Sequence, residues 1–326
     1  MFSSIGDLLR EDLPSASFFR MPGKDPKISK KDWVQEFPEV KAGLRDATLS
    51  CIEERPGQKY VHLQNLAEDR MKRLTSSTNV FHELIEQEAD VTRDFQRHLS
   101  LPCRQAWDGL NVFERSQSGP PGATTDSKTI DHYFSLMVES HEYCLCAGEL
   151  KPWGVIQKDE WSGAKTMGTV TKRLGQEMRG YAYKYDCPQV FVYDSRHLLI
   201  FQFHATTRED IRSQDCLIDT WVIPRSSQSH GVNITMREAL DTLIRCGWMR
   251  VVGQLSRRSN IQIGEWMQEF EYWSGRPRWR HCSLNSIRLS HPDGYRRKYD
   301  AGAGRWYWHA NGQFVSWSSP QLRSST

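Results

Sequence analysis

The stretch EYCLCAGELK, Glu142 to Lys151, decides how this chain is read. Small and apolar side chains fill it as they fill a buried strand, and then Glu149, Leu150 and Lys151 close it with two opposite charges. Side chains alternate across a strand, so Glu149 and Lys151 project to one face while Leu150 points the other way, into packing. Working outward, DHYFSLMV (131–138) is a second aromatic and apolar run, separated by the polar turn ESH (139–141), so the two segments read as an antiparallel hairpin. Pairing through that turn carries Asp131, at the start of the first strand, toward Glu149 at the far end of the second. Two acids and a lysine then converge.

The flanking segments supply the rest of a mixed α/β domain. GAKTMGTVTKRLGQEMRGYAYKY (163–185) has helix length, and QVFVYD (189–194), the turn Ser195-Arg196 and HLLIFQFH (197–204) read as another hairpin. TMREALDTLIRCG (235–247) predicts a helix with Thr235 as its N-cap and Gly247 as its stop. Upstream, YVHLQNLAEDRMKRL (60–74) and NVFHELIEQEADVTRDFQRHL (79–99) predict two helices, and SQSGPPGATTDSK (116–128) a loop. Residues 1–57 lack a sustained period and read as an arm. Beyond 251 the composition shifts to Trp, Arg and Tyr, with Asn311-Gly312 as a hairpin turn. The expected organisation is an arm (1–57), an α/β domain with a mixed sheet (58–250) and a small β-rich appendage (251–326).

Composition bounds the partners. Forty-three basic against 40 acidic side chains leave a formal charge of +3, so any surface for nucleic acid must be a local patch. No apolar run approaches the roughly 18 residues of a membrane span, and acids interrupt MFSSIGDLLREDLPSASFF where a signal peptide needs an apolar stretch. The expectation is an intracellular protein, nuclear or cytoplasmic, with no membrane partner. The cysteines show no C-x-x-C spacing, and Cys144 and Cys146 read as small hydrophobes on one strand face rather than zinc ligands.

The converging acids have a chemical use. Carboxylate oxygens of Asp131 and Glu149, with the Leu150 carbonyl, can hold a hard divalent ion, Mg²⁺ or in its place Mn²⁺, which keeps several waters. Lys151 can orient or help deprotonate an attacking water and stabilise phosphate charge. The plainer alternative is an exposed Glu149–Lys151 ion pair worth at most about 1 kcal/mol.

On these residues, ID at 130–131 and ELK at 149–151, the chain resembles the PD-(D/E)XK nuclease superfamily. That motif is an acid on one strand followed, ten to some twenty residues later, by an acid, any residue and a lysine. The resemblance implies a restriction-endonuclease-like core with helices on both faces over roughly residues 75–250. It also implies Asp131 and Glu149 as Mg²⁺ ligands and Lys151 as the residue that serves the water. Ile130 stands where the motif has proline, a position that supplies no ligand. GELKPWG, LGQEMRGYAY, CPQVFVYDSRHLLIFQF and DTWVIPR are similar to a fungal branch of the superfamily. Gln176 falls on the helix after the lysine strand, where relatives carry a glutamine near the site, which implies contact with water or phosphate. For the family's upstream helical acid, Glu83, Glu86 and Glu88 are candidates. Glu139 and Glu142 lie too close to Glu149 to span the hairpin.

A nuclease implies nucleic acid, DNA first and RNA second. The helix after the motif offers Lys172, Arg173 and Arg179, with Lys165 and Lys184 at its ends. The appendage adds Arg276, Arg278 and Arg280, then Arg296, Arg297 and Lys298, interleaved with Trp273, Trp279, Tyr295, Trp306 and Trp308. Cations can track phosphates while aromatic faces stack on bases, although tryptophans in small β modules usually form core. Two other functions stay open: a nuclease-like binding module without turnover, and a small-molecule enzyme using Glu149 or His141 as acid or base.

Overall fold

The structure, a computed structural model, describes residues 3–18, 36–40, 72, 74–75, 83–118, 130–226, 234–256, 261–284, 286–300, 302 and 305–316. Most of the expected arm and of the 60–74 helix lies outside them. The chain begins with β1 (Ser3–Ser4), α1 (Ile5–Arg10), β2 (Ala16–Phe18), β3 (Leu74–Thr75) and β4 (Glu83–Ile85). Here β1 pairs antiparallel with β3, and β2 parallel with β4.

Helix α2 (Glu88–Phe95) runs through a π-helical turn, Gln96–Ser100, into α3 (Leu101–Trp107). Pro102 lacks the N–H that a regular turn needs there, which accounts for the widened segment before it. The expected helix over 79–99 is therefore corrected. Its described part starts as strand β4, and the helix begins at Glu88, where Asp90 accepts the Gln87 N–H and fixes the helix start.

The sheet follows, with β5 (Val112–Ser118), β6 (Ile130–Val138) and β7 (His141–Leu150), then α4 (Lys158–Trp161) and α5 (Thr169–Lys184). It continues with β8 (Gln189–Tyr193), β9 (His197–Phe203) and β10 (Ile218–Pro224), and α6 (Met236–Ser256) closes the run. The six strands form one mixed sheet in the order β10-β9-β8-β7-β6-β5. All neighbours are antiparallel except the central β7–β8 pair. A parallel pair cannot be closed by a tight turn, so its connection carries α4 and α5 past one face of the sheet. The expected loop over 116–128 gives way at its start, because Ser116 and Ser118 pair with His132 and Ile130 on β6. Residues 119–128 lie outside the described residues.

Helices cover both faces of the sheet. On one side Leu9, Phe95, Leu99, Trp107, Leu240 and Ile244 pack on Phe134, Leu145, Phe191, Ile200 and Trp221. On the other, Trp161, Leu174, Met178, Tyr181 and Ala182 pack on Tyr133, Cys144, Ala147, Val190, Val192 and Phe201. Strands buried on both faces explain why QVFVY and HLLIFQF read as continuous apolar runs. Two glycines set the layer spacing. A Cβ on Gly148 would meet the Phe191 ring at 2.1 Å, and one on Gly247 would meet the Leu145 carbonyl oxygen at 2.0 Å.

Gly247 therefore does not stop its helix, as the sequence reading expects. It sits inside α6 and lets the helix backbone approach β7. Thr235 does cap α6, its hydroxyl accepting the Glu238 N–H at 3.2 Å. Because α6 continues to Ser256, the expected boundary at 250 falls within a helix.

The C-terminal residues form β11 (Gln262–Ile263), β12 (Trp266–Phe270), β13 (Pro277–His281) and β14 (Ile287–Arg288), an antiparallel sheet in that order. A second antiparallel sheet comprises β15 (Arg296–Asp300), β16 (Arg305–Ala310) and β17 (Gln313–Ser316), with the Asn311-Gly312 turn between the last two. Ile261, Ile263 and Trp279 of the first sheet's segment and Trp308 of the second make one small core. Among the described residues no helix is long and apolar enough to cross a membrane.

Candidate active site

The register His132↔Gly148 in the β6–β7 pair carries Asp131 to the level of Glu149. The Asp131 carboxylate accepts the Leu150 N–H at 3.0 Å, which fixes it against the end of β7. Leu150 itself is buried in the core on the opposite face, as strand alternation requires. Glu149 lies on the α5 side, where its Oε1 meets Lys151 Nζ at 2.5 Å and its Oε2 accepts the Tyr181 hydroxyl at 2.9 Å. The Lys151 side chain is 12% exposed, so this is no solvent-facing pair, and its Nζ also lies 3.5 Å from Glu177 Oε2.

The electrostatics follow from crowding charges in a dry place. Burial, first of all, pushes the Glu149 carboxyl up to about 8; Lys151 pulls the other way, and the carboxylates of Glu177 and Asp131 add to the rise. Burial disfavours the Lys151 ammonium, but Glu149 and Glu177 outweigh it and hold the group above the ordinary lysine range. Lys151 is thus a firm cation, an ammonium that donates hydrogen bonds rather than a base that takes a proton. Burial also raises Tyr181 well beyond the usual phenol range, so its hydroxyl stays a donor.

Glu177 and Tyr181 are functional candidates that the sequence reading missed. Leu174, Glu177, Met178 and Tyr181 stand at helical spacing on the sheet-facing stripe of α5, all buried. An acid inside an otherwise buried stripe is the signal that could have found Glu177. Gln176, one position earlier, is turned by about 100°. Its amide donates to the Phe37 carbonyl at 2.9 Å, so that part of the side chain serves packing against 36–40.

The upstream acids do not complete the cluster. Glu86 and Glu88 are exposed, and α2 packs on the face opposite α5. Only the backbone of Glu83 is described, in β4. Glu142 engages Arg115 and Ser135, and Glu139 occupies the hairpin turn at a φ of 56°. His141 opens β7 whereas Glu149 lies near its end, about 26 Å along an extended strand. The two cannot share one small-molecule cavity.

Several proposed nucleic-acid cations are occupied elsewhere. Arg179 is 1% exposed, donates to the Ile211 and Glu39 carbonyls and packs on the Phe203 ring, which removes it from any surface. Lys172 pairs with Glu39 at 3.1 Å and Lys165 with Asp159 at 2.7 Å, while Arg173 is partly exposed. In the appendage, Glu269 binds Arg278 and Arg280. Trp279 and Trp308 are core, and Trp273 stacks on His204 at 4.0 Å. Arg296 and Lys298 are exposed on β15. The side chains of Arg297 and Trp306 lie outside what is described.

Asp194 joins the site to its surroundings. It is fully buried at the β8–β9 turn and accepts the N–H groups of Gly154, Ile156, Arg196 and His197. Burial pushes its carboxyl up to about 6 against the pull of those donors. The loop that leaves Lys151 is thereby pinned to the neighbouring turn, and the Lys151 N–H itself donates to the Tyr193 carbonyl at 2.9 Å.

Hard oxygen donors are what the site offers a metal. Asp131 and Glu149 are a pair, and among the described residues no group of three or more His, Cys, Asp or Glu side chains is arranged to hold an ion. A two-carboxylate site suits Mg²⁺, which takes one or two protein carboxylates and keeps waters. The neighbouring Glu177 and Asp131 add to the rise of the Glu149 carboxyl, a crowding of acids that a bound cation would offset. No family model, curated protein or solved structure matches the chain.

Proposed function

We propose that this chain is a divalent-metal-dependent nuclease of the PD-(D/E)XK type, with a restriction-endonuclease-like core, hydrolysing phosphodiester bonds in DNA. The observation that carries the reading is the meeting of Asp131, Glu149 and Lys151 at the end of the central parallel strand, with Lys151 Nζ 2.5 Å from Glu149.

Asp131 and Glu149 would hold Mg²⁺, which supplies Lewis acidity and lowers the pKa of a bound water. The residues of this chain do the rest. Lys151, kept protonated by its acidic neighbours, donates to the attacking water and offsets the phosphate's charge. Glu177 and Tyr181 set the position of that ammonium and of the Glu149 carboxylate, the one by charge and the other by its hydroxyl. In the reaction the water oxygen bonds to phosphorus, the ester P–O bond breaks, and the water's proton leaves with the departing oxygen.

One observation favours a second reading, a binding module that lacks turnover. Both Glu149 oxygens are already engaged, by Lys151 and Tyr181. Incubation with single-stranded, double-stranded and branched DNA in Mg²⁺ or Mn²⁺ separates the two. Cleavage that EDTA and Lys151→Ala both abolish supports the nuclease. Salt-dependent binding with no cleavage under any divalent ion supports the binding module, and cleavage unchanged in Lys151→Ala removes the proposed chemistry.

A further inference from the structure

We propose that Arg196 is a DNA-phosphate anchor that sets the course of the substrate strand past Lys151; the inference rests on the nuclease reading. Arg196 lies in the β8–β9 turn, at the same edge of the sheet as the end of β7. Its guanidinium sits 4.5 Å from the Trp153 ring and 4.7 Å from the Phe18 ring, whose centroids are 6.0 Å apart. The residue is exposed. Among the described residues no carboxylate pairs with its guanidinium, whereas that of the neighbouring Arg225 is bound to Asp94.

The cation is also held in place. The Arg196 N–H donates to Asp194 and its carbonyl accepts the Arg225 N–H at 2.9 Å. Ser195 beside it takes a φ of 64°, a conformation that a non-glycine residue adopts only in a fixed turn. Through Asp194 the turn is tied to the 154–156 loop, which follows Lys151 and Trp153 in the chain. A planar guanidinium can keep its fork toward a phosphate while its faces lie on aromatic rings, which an ammonium cannot do. An exposed, pre-stacked cation at this edge of the sheet has little ordering entropy left to lose when it binds an anion.

The competing explanation is that Arg196 only covers aromatic surface with its stem. Arg196→Leu keeps the cover and removes the charge, and Arg196→Lys keeps the charge and loses the fork. The full chain is titrated by fluorescence anisotropy with labelled single-stranded DNA, duplex DNA and RNA of one sequence, in EDTA, over a salt series. We expect Arg196→Leu to bind DNA about tenfold more weakly. Its log–log salt slope should be shallower by about 0.9 on duplex or 0.7 on single strands, while Arg196→Lys keeps the slope. In Mg²⁺, KM should rise with kcat unchanged, at an unaltered melting temperature.

Equal affinity and slope for Arg196→Leu and wild type would overturn the anchor while leaving cleavage by Lys151 standing. Absence of DNA binding by the wild type would overturn both. Tighter, Arg196-dependent binding of RNA would overturn the assignment to DNA.

Discussion

Gly247→Ala offers the sharpest check on how the helical layer meets the strand that carries the site. In an isolated helix interior this change stabilises by about 1 kcal/mol. In this fold the added methyl would lie 2.0 Å from the Leu145 carbonyl oxygen, 2.5 Å from its carbon and 2.8 Å from its Cα, where real Cβ atoms stay beyond 3.0 Å. All three atoms are backbone, at the bulge of β7 opposite Phe134 and Ser135, so no rotamer change relieves the clash. Helix α6 must retreat, loosening Leu243 and Ile244 over the sheet. Overpacking of a core costs up to about 3 kcal/mol, which leaves a net loss of about 2 kcal/mol after the propensity gain. Urea unfolding followed by far-UV circular dichroism should show a lower midpoint at unchanged m-value. A midpoint equal to or above wild type would refute the close approach of α6 to β7.

Gly148→Ala should cost about 1–3 kcal/mol, because Phe191 is held against Phe95 at 5.6 Å and cannot swing clear; Phe191→Leu in the same chain should restore part of it in thermal melts. Asp94→Asn should cost about 3–5 kcal/mol, since it strands the buried Arg225 guanidinium. Burial alone would raise Asp94, but Arg225 outweighs it and holds the carboxyl below its ordinary value. Its contribution is therefore complete above pH 4 and lost as pH falls further, so the acid limb of a stability–pH curve should be shallower in Asp94→Asn than in wild type. If the two limbs superimpose, the pair is not what acid breaks. Glu177→Gln should lower divalent-dependent DNA cleavage by about 10- to 100-fold without shifting the melting temperature downward; full activity would place Glu177 outside the reaction.

How much was legible depended on sequence distance. EYCLCAGELK carries its own strand alternation, and the short turn after DHYFSLMV fixes its partner, so the meeting of Asp131, Glu149 and Lys151 could be reasoned from local rules. Thr235 and Asn311-Gly312 were legible for the same reason, a cap and a turn being properties of a few adjacent residues. Glu177 was not, because its importance lies in which side of α5 faces the sheet, whereas Gln176 was singled out by the resemblance. Arg179 looked like a surface cation until the 211–213 segment and Phe203 were folded over it. Cys103, Cys144, Cys146, Cys187 and Cys246 are buried in the layers between sheet and helices.

By itself the sequence determined the alternating strands, their hairpins, the helical periods and the one face on which an acid and a lysine must stand. Those follow from backbone geometry acting over neighbouring residues. Only the tertiary structure decided that β7 and β8 run parallel, that Gly247 is a contact rather than a stop, and that Glu177, Tyr181 and Asp194 surround the charged pair. These are matters of long-range packing and of the desolvation it imposes, which no local pattern encodes.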